Sequence, residues 1–119
     1  MKTLQNFVNG KKVSATSDKV QDLINPATGE VFAKAPVSTQ KDVDDAYAAA
    51  KEAFPGWRDA TPATRQKALL DIADIFEKHS DEIVQLECEN TGKPIAVTNS
   101  EEVPPMIDQI RFFAGAARM

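Results

Sequence analysis

The chain has 119 residues, 42% of them apolar and 27% charged, with a formal net charge of −4 and a pI near 4.9. That length holds at most one domain, and an acidic balance with no Lys/Arg cluster argues against a protein that binds nucleic-acid backbones. A single cysteine excludes an internal disulfide and suits a reducing compartment. The opening Met1-Lys2-Thr3-Leu4-Gln5-Asn6 has no apolar signal-type core, and no apolar run approaches the roughly 18 residues of a membrane span. A soluble cytoplasmic protein is expected, with no membrane and no nucleic-acid partner.

Residues 1–37 read as strands. Asn6-Phe7-Val8 and Lys12-Val13 flank Asn9-Gly10, a pair suited to a type I′ turn because both central residues need positive φ. Val20 to Asn25 and Glu30 to Ala35 flank Pro26-Ala27-Thr28-Gly29, which predicts a second small hairpin.

Residues 38–119 change to helical period, and four helices are expected. Thr39 with Asp42 resembles a capping box, followed by Val43, Ala46, Tyr47, Ala50 and Phe54 at helical spacing, with Pro55-Gly56 as the stop. Thr61-Pro62 is an N-cap followed by proline at the first helical position, and Leu69, Ile72, Ala73 and Phe76 form one apolar face. Ser80-Asp81-Glu82 opens a third helix with Ile83 and Leu86 inward; Gly92 caps it and Pro94 stops it. A fourth begins between Ser100 and Pro104 and carries Met106, Ile110, Phe113 and Ala117 on one side. It runs to Met119 without a stop signal. The hairpins have no visible strand partner and the helices no sheet to cover, so the chain alone is expected to be poorly stable and aggregation-prone.

Several segments together resemble the start of the aldehyde dehydrogenase superfamily. They are Phe7-Val8-Asn9-Gly10, Ile24-Asn25-Pro26-Ala27-Thr28-Gly29-Glu30, and Asp42-Val43-Asp44 leading to Ala46, Ala49-Ala50, Phe54, Trp57 and Arg65. Leu69, Ile72-Ala73-Asp74, Glu87 and Thr91-Gly92-Lys93-Pro94 continue the likeness. Glu102-Val103-Pro104-Pro105 and Arg111 to Arg118 resemble the gamma-aminobutyraldehyde (1-pyrroline) dehydrogenases, with betaine-aldehyde dehydrogenases next. The resemblance implies an α/β fold: β-hairpins and helices of a Rossmann-like NAD-binding domain, truncated, with residues 1–119 forming its N-terminal part and the catalytic domain absent.

It also implies a chemistry. A cysteine thiolate attacks the aldehyde carbonyl and hydride leaves to NAD. A backbone N–H and an asparagine amide stabilise the oxyanion, and a glutamate activates water to hydrolyse the thioester. The stretches that carry these groups, of Pro-Trp-Asn-Tyr and Gly-Gln-x-Cys type, do not occur here, and the five glycines form no cofactor loop. No catalytic or cofactor-binding residue is therefore assigned, and the chain alone is expected to be inactive.

The remaining residues of chemical interest read mostly as structural. Cys88 lies between Glu87 and Glu89, neighbours that disfavour a thiolate, so it reads as a helix-packing cysteine. His79, the only histidine, sits near a helix C-terminus and reads as satisfying carbonyls or favouring the dipole, not as a zinc ligand. Lys93 is followed by Pro94 and has no upstream glycine at Walker spacing, so it is no phosphate loop. Trp57 is expected to pack an interhelix corner. The Val43/Tyr47/Phe54 and Leu69/Ile72/Phe76 stripes are expected to be core.

The resemblance adds two sites. Betaine-aldehyde-type relatives hold a structural Na+ or K+ with backbone oxygens at positions that match Leu23 and Ile24 and a side chain at the position of Asn90. Here Asn90 replaces an aspartate of some relatives; its alternative role is to cap its helix. In aminoaldehyde-oxidising relatives the start of the fourth helix lines the mouth of the substrate channel. Glu102 first, then Glu101, would attract an ammonium group, with Pro105 and Gln109 on the same wall. The alternative is two carboxylates at a helix N-terminus, favoured by its dipole. Two functions stay open: the N-terminal portion of an NAD(P)-dependent dehydrogenase that oxidises an aminoaldehyde such as 4-aminobutanal, or an inactive fragment or truncated homologue serving as an interaction module. The expected partners of the first are the aldehyde, the remainder of the enzyme and further copies in a dimer or tetramer.

Overall fold

A computed structural model of the chain describes residues 2–119. They form two compact units that divide after Arg58.

In the first unit, strands β1 (Lys2–Thr3), β2 (Asn6–Val8), β3 (Lys11–Val13), β4 (Val20–Ile24) and β5 (Val31–Pro36) precede helix α1 (Gln40–Arg58). β2 and β3 are the expected hairpin, with Phe7 opposite Lys12 and Asn9 and Gly10 at φ 51° and 74°. Both central residues of the turn are left-handed, as a type I′ turn demands. β4 and β5 form the second hairpin. Its turn closes on Asn25, whose side chain accepts from Ala27 N–H at 2.9 Å while its carbonyl accepts from Gly29 N–H at 2.8 Å. The hairpin does have a partner, contrary to expectation: β1 pairs in parallel with β5, giving a mixed sheet in the order β1-β5-β4. A two-residue strand carries too short a pattern to be read in sequence.

The start of α1 is a reciprocal cap. Thr39 N–H donates to Asp42 Oδ2 at 2.7 Å, and Asp42 N–H donates to Thr39 Oγ1 at 3.4 Å. The same carboxylate accepts from the backbone N–H of Thr16 at 3.0 Å, which ties the loop after β3 to the helix. These donors hold the Asp42 carboxyl below the usual aspartate range, the Thr39 amide contributing most.

Two expectations for α1 need correction. The helix does not stop at Pro55-Gly56 but runs to Arg58 with Pro55 inside it. Gly56 is not among the glycines with positive φ and so makes no left-handed cap. The proline removes one donor near an exposed end, where water can satisfy the freed carbonyl. Nor is the Val43/Tyr47/Phe54 stripe core: α1 buries no residue, and Tyr47 and Phe54 are 74% and 56% exposed. Trp57 is likewise half exposed. The stripe marks a helix face; burial depends on what covers it. The hairpin β2/β3 faces the small side of α1 instead, across a groove lined by Phe7, Val8, Ala46, Ala49 and Ala53.

The second unit holds helices α2 (Pro62–Lys78), α3 (Ser80–Thr91), α4 (Ile95–Val97) and α5 (Val103–Ala116), with a π-helical turn at Thr98–Glu102 between the last two. Thr61 caps α2 by accepting from Thr64 N–H at 3.2 Å, with Pro62 next, as expected. Gly92, at φ 75°, caps α3 by donating to the Cys88 carbonyl, so Asn90 lies inside the helix and is not its cap. The fourth expected helix, α5, begins within the expected window; the short α4 and the π turn were not foreseen.

The core of this unit is Ala73, Val84, Cys88, Val103 and Ile107, flanked by Phe76, Ile83, Met106 and Ile110. Ala73 on α2 and Ala114 on α5 have no exposed surface, and these two helices make the most extensive packing in the unit. Three inward assignments shift. Val84 is buried on α3 where Leu86 is 47% exposed; Ile107 is buried on α5 where Phe113 is 60% exposed; Ile72 on α2 is 41% exposed. Ile72 and Phe113 each adjoin a buried residue, and Leu86 lies two residues from both Val84 and Cys88; which positions face inward is something sequence period alone does not fix. Arg111 on α5 clips the helices together, its Nη2 2.9 Å from both Asp74 and Glu77 of α2.

Ala73→Leu forces a larger side chain between α2 and α5 and is expected to destabilise by about 1–3 kcal/mol in urea denaturation. An unchanged midpoint would show that this contact is not close-packed. Asp42 contributes stability above its ordinary pKa of 3.8, and that contribution is lost as pH falls through its lower folded-state value. Asp42→Asn is therefore expected to lower the thermal midpoint near neutral pH and to make its acid decline shallower, measured by circular dichroism from pH 7 downward.

Candidate functional site

The segment between α3 and α5 is built from local bonds. Gly92 turns the chain out of α3 in left-handed conformation, and Pro94, at φ −64° and ψ 130°, sets the extended step before α4. Lys93 between them is fixed from both sides, and its N–H donates to Thr91 Oγ1 at 3.3 Å. Thr98, fully buried, donates its hydroxyl to the Pro94 carbonyl at 3.1 Å, and Ser100 donates to the Ala96 carbonyl at 2.9 Å. Such back-bonding to the preceding turn accompanies local distortion of a helix. The ladder opens to π spacing where Val103 N–H donates to the Thr98 carbonyl.

This turn places the four residues expected at the substrate-channel mouth. Glu101 is exposed and Glu102 half-buried at the end of the π turn; Pro105 and Gln109 are exposed and one helical turn apart on α5. Glu102 is ion-paired. Lys93 Nζ lies 2.8 Å from Glu102 Oε2 and 3.2 Å from Glu87 Oε1. Glu102 stands at the N-terminus of α5, and its side chain bonds no amide of that helix. The reason is in the sequence. A capping side chain accepts from the second or third amide of the helix, and here those positions are Pro104 and Pro105, which have none. The first amide, of Val103, is already given to Thr98. Glu102 turns to Lys93 because the helix offers it nothing.

Beside this segment a groove of about 210 Å³ has Val103 and Ile107 on its floor and Ser80, Asn99, Asp108 and Arg111 among its walls. None of the four expected mouth residues lines it. Its one cation, Arg111, is satisfied by Asp74 and Glu77; the pairing draws the Glu77 carboxyl below its usual range and keeps the guanidinium charged. Asp74 and Glu77, one helical step apart on α2, were the available signal for a bidentate arginine partner.

The other singled-out residues fall as follows. Cys88 is buried at 7% exposure with its Sγ 3.5 Å from Thr98 Oγ1, the packing role expected. His79 joins α2 to α3; its backbone N–H donates to the Ile75 carbonyl at 3.1 Å, and its Nδ1 lies 3.4 Å from Glu82. Leu23 and Ile24 lie in β4 of the first unit, beside an irregularity in its pairing with β5, and Asn90 lies exposed on α3 of the second. Among the described residues no cluster of three His, Cys, Asp or Glu side chains is placed to hold a metal ion. Three glycines take left-handed turns at separate points, Gly10, Gly29 and Gly92. None opens a phosphate-cradling loop, so no residue here is assigned to a nicotinamide cofactor. No helix among the described residues is long and apolar enough to cross a membrane.

A small mixed-strand unit followed by a helical unit is how a class of α/β oxidoreductases begins. The structure of PnpE in complex with nicotinamide adenine dinucleotide superposes with a TM-score of 0.92 at 36% identity, over 97% of this chain and 24% of that one. Residues 12–119 match the aldehyde dehydrogenase family, and the chain belongs to it. An aldehyde dehydrogenase of Alternaria alternata is 41% identical over 93% of this chain and 22% of its own length. A 2-aminomuconic semialdehyde dehydrogenase of Danio rerio is 40% identical over 95% of this chain and 23% of its own. The chain thus spans less than a quarter of the relatives it matches.

Cys88, held in the core and bonded to Thr98, is expected to resist a thiol reagent such as DTNB in the native protein and to react on unfolding in urea. Rapid stoichiometric labelling without denaturant would contradict its packing role.

Proposed function

We propose that this chain is the N-terminal segment of an NAD-dependent aldehyde dehydrogenase that oxidises an aldehyde to the carboxylic acid through a cysteine thioester. The carrying observation is the family match over residues 12–119, supported by likeness to a structure described as an NAD complex. The nucleophile, the oxyanion asparagine and the water-activating glutamate belong to parts of the enzyme outside these residues. The 119 residues alone are accordingly proposed to be inactive, contributing scaffold and one wall of the substrate-channel mouth.

The substrate we propose is an aminoaldehyde such as 4-aminobutanal. An ammonium group that sheds water on entering a channel recovers part of that cost beside a carboxylate. Glu101 is the exposed carboxylate at the start of α5 and so the first residue to test; Glu102 is shared with Lys93. A second reading, a non-catalytic interaction module, is favoured by the absence of the catalytic stretches from these residues.

In the complete enzyme that carries this segment, Glu101→Gln is expected to raise KM for a cationic aldehyde about two- to fivefold relative to a neutral aldehyde of similar length. The measurement is initial-rate NADH formation with both substrates. Equal change for the two would remove the aminoaldehyde and leave the dehydrogenase; no NAD reduction with any aldehyde would favour the module.

A further inference from the structure

We infer that Lys93 sets the charge preference of the channel mouth by holding Glu102 out of use; the inference rests on the reading that the start of α5 lines that mouth. Lys93 is fixed in backbone between a left-handed Gly92 and Pro94, so its side chain leaves α3 from a defined point. Its ammonium bridges Glu87 at 3.2 Å and Glu102 at 2.8 Å, spanning from α3 to the residue just before α5. Glu102 has no competing partner in its own helix, because Pro104 and Pro105 remove the amides that a carboxylate there would accept from. Its carboxylate is left to Lys93, to water or to an incoming cation. Glu101, its exposed neighbour, has no such constraint from Lys93. The bridging carboxylates raise the Lys93 ammonium above its ordinary range, so the clamp persists across neutral pH.

Lys93 is a positioning residue in this account, since it acts through Glu102. Three ionised groups, Lys93, Glu87 and Glu102, leave one net negative charge in the clamp. Neutralising Lys93 releases Glu102 to a cationic substrate.

The test uses the complete enzyme, with kcat and KM measured for a cationic and a neutral aldehyde. Lys93→Gln is expected to raise the cationic-over-neutral ratio of kcat/KM about two- to fivefold, mostly through KM. Lys93→Arg, which keeps the charge, should restore the ratio. In a Glu102→Gln background Lys93→Gln should lose its effect, which separates release of Glu102 from the simple removal of a positive charge. An effect that persists in that background overturns the inference. An unchanged ratio in Lys93→Gln, with Glu101→Gln still discriminating, overturns the inference and leaves the mouth reading standing. If neither substitution discriminates, both fall. Should Lys93→Gln fold poorly, Glu87→Gln supplies the opposite perturbation: it strengthens the hold of Lys93 on Glu102 and should lower the ratio, and a rise would count against the clamp.

Discussion

The close approach of α2 and α5 is the constraint on which the helical unit rests. Ala73 and Ala114 are fully enclosed, and a methyl at each position lets the two helices pack with Val84, Cys88, Val103 and Ile107 around them. Burial of an aliphatic side chain of this kind is worth about 1.5–3 kcal/mol, so a handful of such contacts decides a unit this small. Arg111 adds direction where the apolar core supplies adhesion. Its planar fork meets Asp74 and Glu77 on one face of α2 and fixes how far α5 slides along it.

The first unit is held differently. Ala33 is its one fully buried apolar residue among those described, so little of its order comes from a core. Backbone pairing and one carboxylate do much of the work. Asp42 caps α1 through Thr39 and anchors the loop after β3 through Thr16.

Chemistry at the start of α5 follows from backbone bookkeeping. A helix N-terminus ordinarily offers free amides to an anion, but here the first is taken by Thr98 and the next two belong to prolines. The carboxylate placed there is left for a side-chain cation. That cation is Lys93, 2.8 Å from Glu102.

Local signals were well expressed in the sequence. Asn9-Gly10, Thr39 with Asp42, Thr61-Pro62 and Gly92 each act within a few residues, and each forms the turn or cap its chemistry dictates. The ordered set of short segments was enough for the family. Tertiary structure alone decided which apolar faces are covered. The stripe through Val43, Tyr47 and Phe54 has perfect helical spacing yet stays exposed, and on α3 Val84 is buried in place of Leu86. It also decided that β1 joins β5, that α1 passes through Pro55, and that Lys93 reaches Glu102. The physical reason is range. Propensity and capping are set by neighbours along the chain, whereas burial, strand partnership and ion pairing depend on groups brought together only by the fold.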